Sequence, residues 1–147
     1  MLETVMTMSR AGSVARLRRL DWRQRRLLLR TLVLLAVASA EVAFLPFRIA
    51  IRFGSRGFGR QQWSADDCVW TVEAAARRLP WRTMCIEKGL VAQRLLRSSG
   101  IDAVLHYGAR HHPESGKLEA HVWVTVEGRA VIGGAEAGDF ALIASYP

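Results

Sequence analysis

Cysteine is scarce. The chain has two, Cys68 and Cys85, which is too few for a disulfide scaffold, and their spacing fits no zinc motif. Two free thiols in a reducing cytosol is the preferred reading, and a single bridge between them the lesser one. Acidic residues are scarce at one end only. Residues 1–60 hold twelve arginines against Glu3, Asp21 and Glu41, a balance of +9, whereas residues 61–147 hold nine Lys/Arg against ten Asp/Glu, a balance of −1. The basic character therefore belongs to the N-terminal part. Those arginines lack interleaved aromatics and any groove-reading motif, which argues against nucleic acid as a partner. His106, His111 and His112 have no acidic or thiolate partners at ligand spacing, so neither a metal nor a cofactor is expected. No internal repeat is present.

Half of the 147 residues are hydrophobic and five are Trp, enough for one domain with its own core. The most apolar stretch, "TLVLLAVASAEVAFLPF" at 31–47, has three readings. As a membrane span it is short and carries Glu41 inside. As a cleaved signal, with Ala38-Ser39-Ala40 imitating a cleavage site, it is preceded by too long a region. The favoured reading is a helix of a cytoplasmic protein that packs one apolar face on the domain and ends near Pro46. Membrane association is the less favoured reading. The expected organisation is an Arg-rich helical segment over 1–60, docking or membrane-proximal, and a catalytic-sized domain over 61–147.

Residues 1–20 read as a polar lead-in and 21–50 as helix on their Leu/Arg/Ala content. "RFGSRGFGRQQWS" at 52–64, with Gly54, Gly57 and Gly59, reads as a linker or loop. A helix is predicted over Ala65–Leu79, with Ser64 as N-cap, Asp66 and Asp67 in the first turn and Arg77 and Arg78 in the last. Val69, Val72, Ala76 and Leu79 share one face, and Pro80 stops it. A further helix is predicted from Met84 to about Ser98, capped by Thr83 and closed by Gly100. Its Ile86, Leu90, Ala92, Leu95 and Leu96 make it central and buried. Beyond it, 101–109, 118–127 and 129–134 are strand-like, separated by "RHHPESGK" and a tight turn at Glu127-Gly128. Helices followed by an antiparallel meander indicate an α+β fold.

Two residues carry chemistry. Cys85 falls in the first turn of the Met84–Ser98 helix, where free amide N–H groups and the helix dipole favour a thiolate and can hold an oxyanion. His121 opens the strand "HVWVTVE". There His121, Trp123, Thr125 and Glu127 share one face and Val122, Val124 and Val126 the other. With the valines on the core side, His121 is expected to project towards what packs on the opposite face, namely the Cys85 helix. The bland readings are a small buried thiol and a polar edge histidine. For Cys68, in mid-helix, the bland reading prevails.

"LPWRTMCIEKGLVAQRLLRSSGIDAVLHYGAR" followed by "LEAHVWVTVEGRAVIGG" resembles the leader peptidases of lasso-peptide biosynthesis. These cysteine peptidases are the protease half of the B protein, of the microcin-processing type, within the transglutaminase-like superfamily. The shared pattern is a Pro-Trp-Arg-x-x-Cys helix, a Gly-Ile strand, then Ala-His-x-Trp-Val and a Gly turn, over about residues 65–147. The Leu-rich helix ending in "LPFR" resembles the segment those proteins carry in front. The resemblance implies a transglutaminase/papain-like fold, a central helix packed on an antiparallel sheet, with Cys85 as nucleophile and His121 as general base. It also implies an Asp soon after the His to orient the imidazole. Here the residues across the turn from His121 are Gly133, Gly134 and Ala135, without a carboxylate, and no backbone or Asn-like substitute is recognised in the hairpin. Glu136 is the first candidate, with Asp139 and Glu127 behind it. The implied function is removal of a leader from a ribosomally made precursor in bacterial antibiotic biosynthesis. The implied partners are that precursor, a separate leader-binding protein and the lasso cyclase, to which ATP belongs. The alternative is a catalytically degenerate adaptor, or a membrane-associated scaffold of a peptide-maturation complex.

Overall fold

The computed structural model describes residues 19–57 and 59–147, so the lead-in expected over residues 1–20 lies outside the described residues up to Arg18. Helix α1 spans Trp22–Phe44. It starts on a capping box, in which Asp21 accepts the Gln24 N–H at 2.8 Å and the Gln24 side chain returns to the Asp21 N–H at 3.4 Å. The helix predicted over 21–50 is broken at Pro46. Leu45, immediately before the proline, is extended at φ −109° and ψ 149°, as the proline ring demands. Pro46 then opens a short helix α2, Phe47–Ala50, which runs into a 3-10 helix over Ile51–Arg56.

The start of the predicted linker is in fact core, whereas residues 59–62 and Ser64 are exposed as expected of a loop. Ile51, Phe53 and Gly54 are buried, and a Cβ on Gly54 would lie 2.1 Å from Gln93 Oε1. The Arg94 guanidinium covers the Phe53 ring at 4.4 Å from its centroid. The boundary expected between residues 60 and 61 has no counterpart in the packing. Leu27 and Leu35 of α1, Phe53, Val72, Leu90 and Val124 belong to one hydrophobic cluster. Glycine here provides close approach rather than flexibility.

Helix α3, Ala65–Ala76, is capped by Ser64, whose hydroxyl accepts the Asp67 N–H at 3.1 Å. It is shorter than predicted because Arg77 is already its C-cap, and the Arg78 guanidinium turns back on the Ala74 carbonyl. Helix α4 spans Cys85–Ser98. Its N-cap is Met84, not Thr83, and the Glu87 carboxylate accepts the Met84 N–H at 2.7 Å. It closes in a Schellman motif: Gly100, at φ +75°, donates to Arg97 O and Ile101 to Leu96 O, both at 3.0 Å. Leu90, Leu95 and Leu96 are fully buried, each stabilising the fold by about 1.5–3 kcal/mol relative to exposure.

The sheet has four antiparallel strands in the order β3-β2-β1-β4: β1 Ala103–His111, β2 Leu118–Val126, β3 Arg129–Ile132 and β4 Ala141–Tyr146. The meander is as expected, but β4 was not foreseen. It pairs with β1, on the edge opposite β3, so the chain leaving β3 must cross the sheet. Gln93 ties α4 to this arrangement, its Nε2 donating to Ala103 O at 3.2 Å and to Tyr146 O at 2.8 Å. Val122, Val124 and Leu105 are buried on the face that α4 covers. Contact there is close because residue 89 is glycine: a Cβ on it would lie 2.7 Å from Val122 Cγ1.

Gly89→Val should therefore destabilise the domain by about 1–3 kcal/mol through overpacking. The change would be read as a lowered urea midpoint at unchanged m-value.

Candidate active site

Cys85 is the first residue of α4, a half-buried free thiol at the margin of the hydrophobic cluster. The loop in front of it is held against α1, because Trp81 Nε1 donates to Ser39 Oγ at 3.1 Å. The first intrahelical bond of α4 runs from Lys88 N–H to Met84 O at 3.3 Å, so the N–H groups of Cys85 and Ile86 precede the ladder. They are the donors a helix start leaves for an oxyanion.

His121 is 9 % exposed, and its Nε2 lies 2.7 Å from Gly133 O. A carbonyl can only accept, so Nε2 carries the proton and, in the neutral ring, Nδ1 holds the lone pair. Nδ1 is thereby the basic nitrogen. The ring is clamped by aromatics: Phe140 at 5.0 Å and Trp123 at 6.1 Å between centroids, with His106 stacked on Trp123 at 5.5 Å. Arg110 covers Phe140 at 4.5 Å and is itself held by Glu119 at 2.8 Å and Asp139 at 3.5 Å. The hydrogen bond to Glu119 pushes the Arg110 pKa up, so this cation persists at any working pH. His106 bonds Ser145 Oγ and Thr125 Oγ1, both at 2.8 Å, and burial pushes its pKa down. It acts as a neutral member of the stack.

These contacts come from the crossover between β3 and β4. In the sheet register His121 faces Gly108, and the crossover passes over that pair. Gly133 sits at φ +69°, where a Cβ would meet Val122 O at 2.6 Å, so only glycine presents its carbonyl to the imidazole from there. At the far end Phe140 lies against Gly108, where a Cβ would come within 3.0 Å of Phe140 Cβ.

Two expectations need correction. The Cys85 helix packs on the valine face of β2, not on the face of His121, because Leu90 and its neighbours need an apolar surface to bury against. The two residues are still near the same end of the α4–sheet layer. Gly89, one turn beyond Cys85, faces Val122, the residue after His121. Among the described residues no hydrogen bond joins Sγ to the ring. The group on Nε2 is the main-chain carbonyl of Gly133, a substitute the sequence reading judged absent from the hairpin. Glu136 is exposed on the 3-10 helix Gly134–Asp139 and has no hydrogen bond to His121, Asp139 pairs with Arg110, and Glu127 is exposed in its turn at φ 50°. The residues sequence reasoning missed are Gly133, Phe140 and Glu87. The one available signal was the Gly133-Gly134 pair.

Cys68 is fully buried in α3, with Sγ 3.8 Å from Ser99 Oγ. Burial is the main cause that raises its pKa. His111 and His112 serve the β1–β2 turn, where His111 Nδ1 meets Gly116 O at 3.0 Å and His112 Nδ1 accepts the Glu114 and Ser115 N–H groups at 3.2 and 3.3 Å.

The thiols should separate cleanly. In the folded protein at neutral pH, iodoacetamide should alkylate Cys85, and Cys68 only after denaturation, as peptide mass mapping would show. The raised Cys68 pKa also contributes stability that is complete below the unfolded thiol pKa and is lost as pH rises through the folded value. Long-range proton–nitrogen correlation spectra should show His121 protonated on Nε2 and bare on Nδ1. The reverse tautomer would contradict the Gly133 hydrogen bond.

A profile of the transglutaminase-like superfamily matches residues 6–145. No curated protein and no solved structure matches the chain. The match takes in α1 as well as the segment with Cys85 and His121, and it agrees with a mixed fold of helices and an antiparallel sheet. Matched over nearly its whole length, the chain belongs to the transglutaminase-like superfamily.

Proposed function

We propose that this protein is a cysteine peptidase that removes the leader from a ribosomally made lasso-peptide precursor. The superfamily includes cysteine peptidases. The observation that carries the reading is the hydrogen bond from His121 Nε2 to Gly133 O, since it leaves Nδ1 as the base a cysteine nucleophile needs. The Pro-Trp-Arg-x-x-Cys and Ala-His-x-Trp-Val motifs support the choice of substrate class. The reaction is assigned to the cytoplasm, where both cysteines remain thiols.

The proposed cycle begins with transfer of the Cys85 proton to Nδ1. The thiolate attacks the scissile carbonyl carbon, and the oxyanion accepts N–H groups at the start of α4. Collapse breaks the C–N bond, and Nδ1–H returns its proton to the departing amine, the N-terminus of the core peptide. The leader stays as a thioester. His121 then takes a proton from water as it attacks, which releases the leader carboxylate and restores the Cys85 thiol. A carbonyl orients the ring as a carboxylate would but brings no negative charge to the imidazolium.

The absence of a Cys85–His121 hydrogen bond favours a second reading, a catalytically silent adaptor of the same maturation complex. One experiment separates the two. Full-length precursor is incubated with purified protein, with and without its leader-binding partner. The peptidase should cut poorly alone and efficiently with the partner, because the segment ahead of the Cys85 helix is helical through Arg56 and offers no strand edge for leader capture. Cys85→Ala and His121→Ala should each lower cleavage by about three orders of magnitude or more, while Cys68→Ala keeps it. Cutting by Cys85→Ala would reject the assignment.

The orienting group has its own test. Glu136→Gln should leave the cleavage rate unchanged, and Gly133→Ala should lower it by about tenfold or more with the fold intact by circular dichroism. A large loss in Glu136→Gln would return the role to the carboxylate.

A further inference from the structure

From Leu27 to Phe44, α1 is apolar nearly all round, and a helix of that kind needs cover on every side. Only one side has it. Leu27, Thr31, Leu35 and Ala38 are buried against α3 and α4. Opposite them Leu29 and Val33 are each 63 % exposed, Val37 is 42 % exposed and Phe44 84 %. Positions 29, 33, 37, 40 and 44 form a straight stripe about 22 Å long at 1.5 Å per residue. Beyond Pro46, Ile49 is 43 % exposed, while Phe47 packs its ring against Tyr107 and Tyr146. The helix is long and apolar enough to cross a membrane by length and composition, but its inner side is core. Crossing would tear Leu27, Thr31, Leu35 and Ala38 from their neighbours.

The charge around the stripe says what covers it. Arg25 and Arg26 stand at one end and Arg48 and Arg52 at the other, all exposed and, among the described residues, outside any ion pair. Glu41, the acid of α1, is turned aside and paired with Arg56 at 3.3 Å. Beside the N-terminal end of the stripe is a cleft of about 480 Å³ lined by Arg23, Arg26, Arg30 and Arg60. Arg23 lies over Trp63 at 5.7 Å and Arg26 over Trp22 at 5.5 Å, which holds guanidinium groups at its rim. We propose that the outer face of α1 lies in the surface of an anionic membrane, its apolar stripe among the acyl chains and lipid phosphates in the arginine cleft. Arginine at the phosphates, an exposed Trp at headgroup depth and aliphatic side chains below are what an in-plane interfacial helix requires. A protein partner for this face would need a matching apolar strip with acids at both ends. The proposal does not depend on the chemistry of Cys85.

The test is flotation of the full chain with phosphatidylglycerol-containing vesicles and with pure phosphatidylcholine vesicles. Binding should favour the anionic vesicles by about tenfold or more and weaken with salt. N-terminal arginines can hold an anionic vesicle by charge alone, so the decisive variants keep the charge. Val33→Asn with Val37→Asn should weaken binding by about tenfold, and Phe44→Asn, at the most exposed position, should do the same in a separate background. Arg23→Gln with Arg30→Gln should lower binding to anionic vesicles only. Failure to float, equal binding to both vesicle types, or unchanged binding in the charge-neutral variants would overturn the proposal. So would loss of a protein complex in those variants with vesicle binding intact, which would give the face to a protein.

Discussion

The seating of α4 on the valine face of β1 and β2 is the contact on which the rest depends. Gly89 allows the helix axis close to Val122, and Leu90, Leu95 and Leu96 are buried in the same hydrophobic cluster as Val122 and Val124. Everything chemical hangs from that contact. The start of α4 brings Cys85 and its unladdered N–H groups to one end of the layer, and β2 brings His121 to the same end one residue before Val122. Gln93 secures the other end through the carbonyls of Ala103 and Tyr146. The strand that closes the sheet is thereby fastened to the helix that carries the thiol.

The crossover from β3 to β4 determines the histidine. Because β4 joins the far edge, residues between Gly133 and Phe140 pass over β2 and β1 where His121 faces Gly108. One end of that passage provides a carbonyl to Nε2 and the other an aromatic ring to the imidazole face. A neutral acceptor fixes the tautomer without stabilising the imidazolium as a carboxylate would. In the proposed cycle the burden then falls more on the helix start and its oxyanion donors.

Helix α1 has two duties that its composition blends into one apolar run. Its inner side completes the core and, through Ser39 and Trp81, steadies the loop that delivers Cys85. Its outer side leaves Leu29, Val33 and Phe44 exposed. Among the described residues, Arg25, Arg26, Arg48 and Arg52 are exposed near its ends, and Arg23, Arg26, Arg30 and Arg60 line the cleft beside it.

What the sequence by itself determined is local. Ser64, Gly100, Pro46 and the alternation of Val122, Val124 and Val126 set helix ends and strand faces through backbone chemistry that acts within a few residues, and the Cys85 and His121 motifs pointed to the transglutaminase-like superfamily. Three things were decided only by the tertiary structure. Gly54 reads as flexible in one dimension, yet it is where the chain presses on Gln93, because a missing side chain means freedom in a loop and proximity in a core. The strand Ala141–Tyr146 escaped notice because as an edge strand it keeps Leu142 and Ile143 exposed, without the buried alternation that marks an inner strand. The partner of His121 was sought among carboxylates, but a main-chain carbonyl has no letter in the sequence. It becomes an orienting group only when a left-handed turn at Gly133 and a crossover set by strand order carry it to the ring.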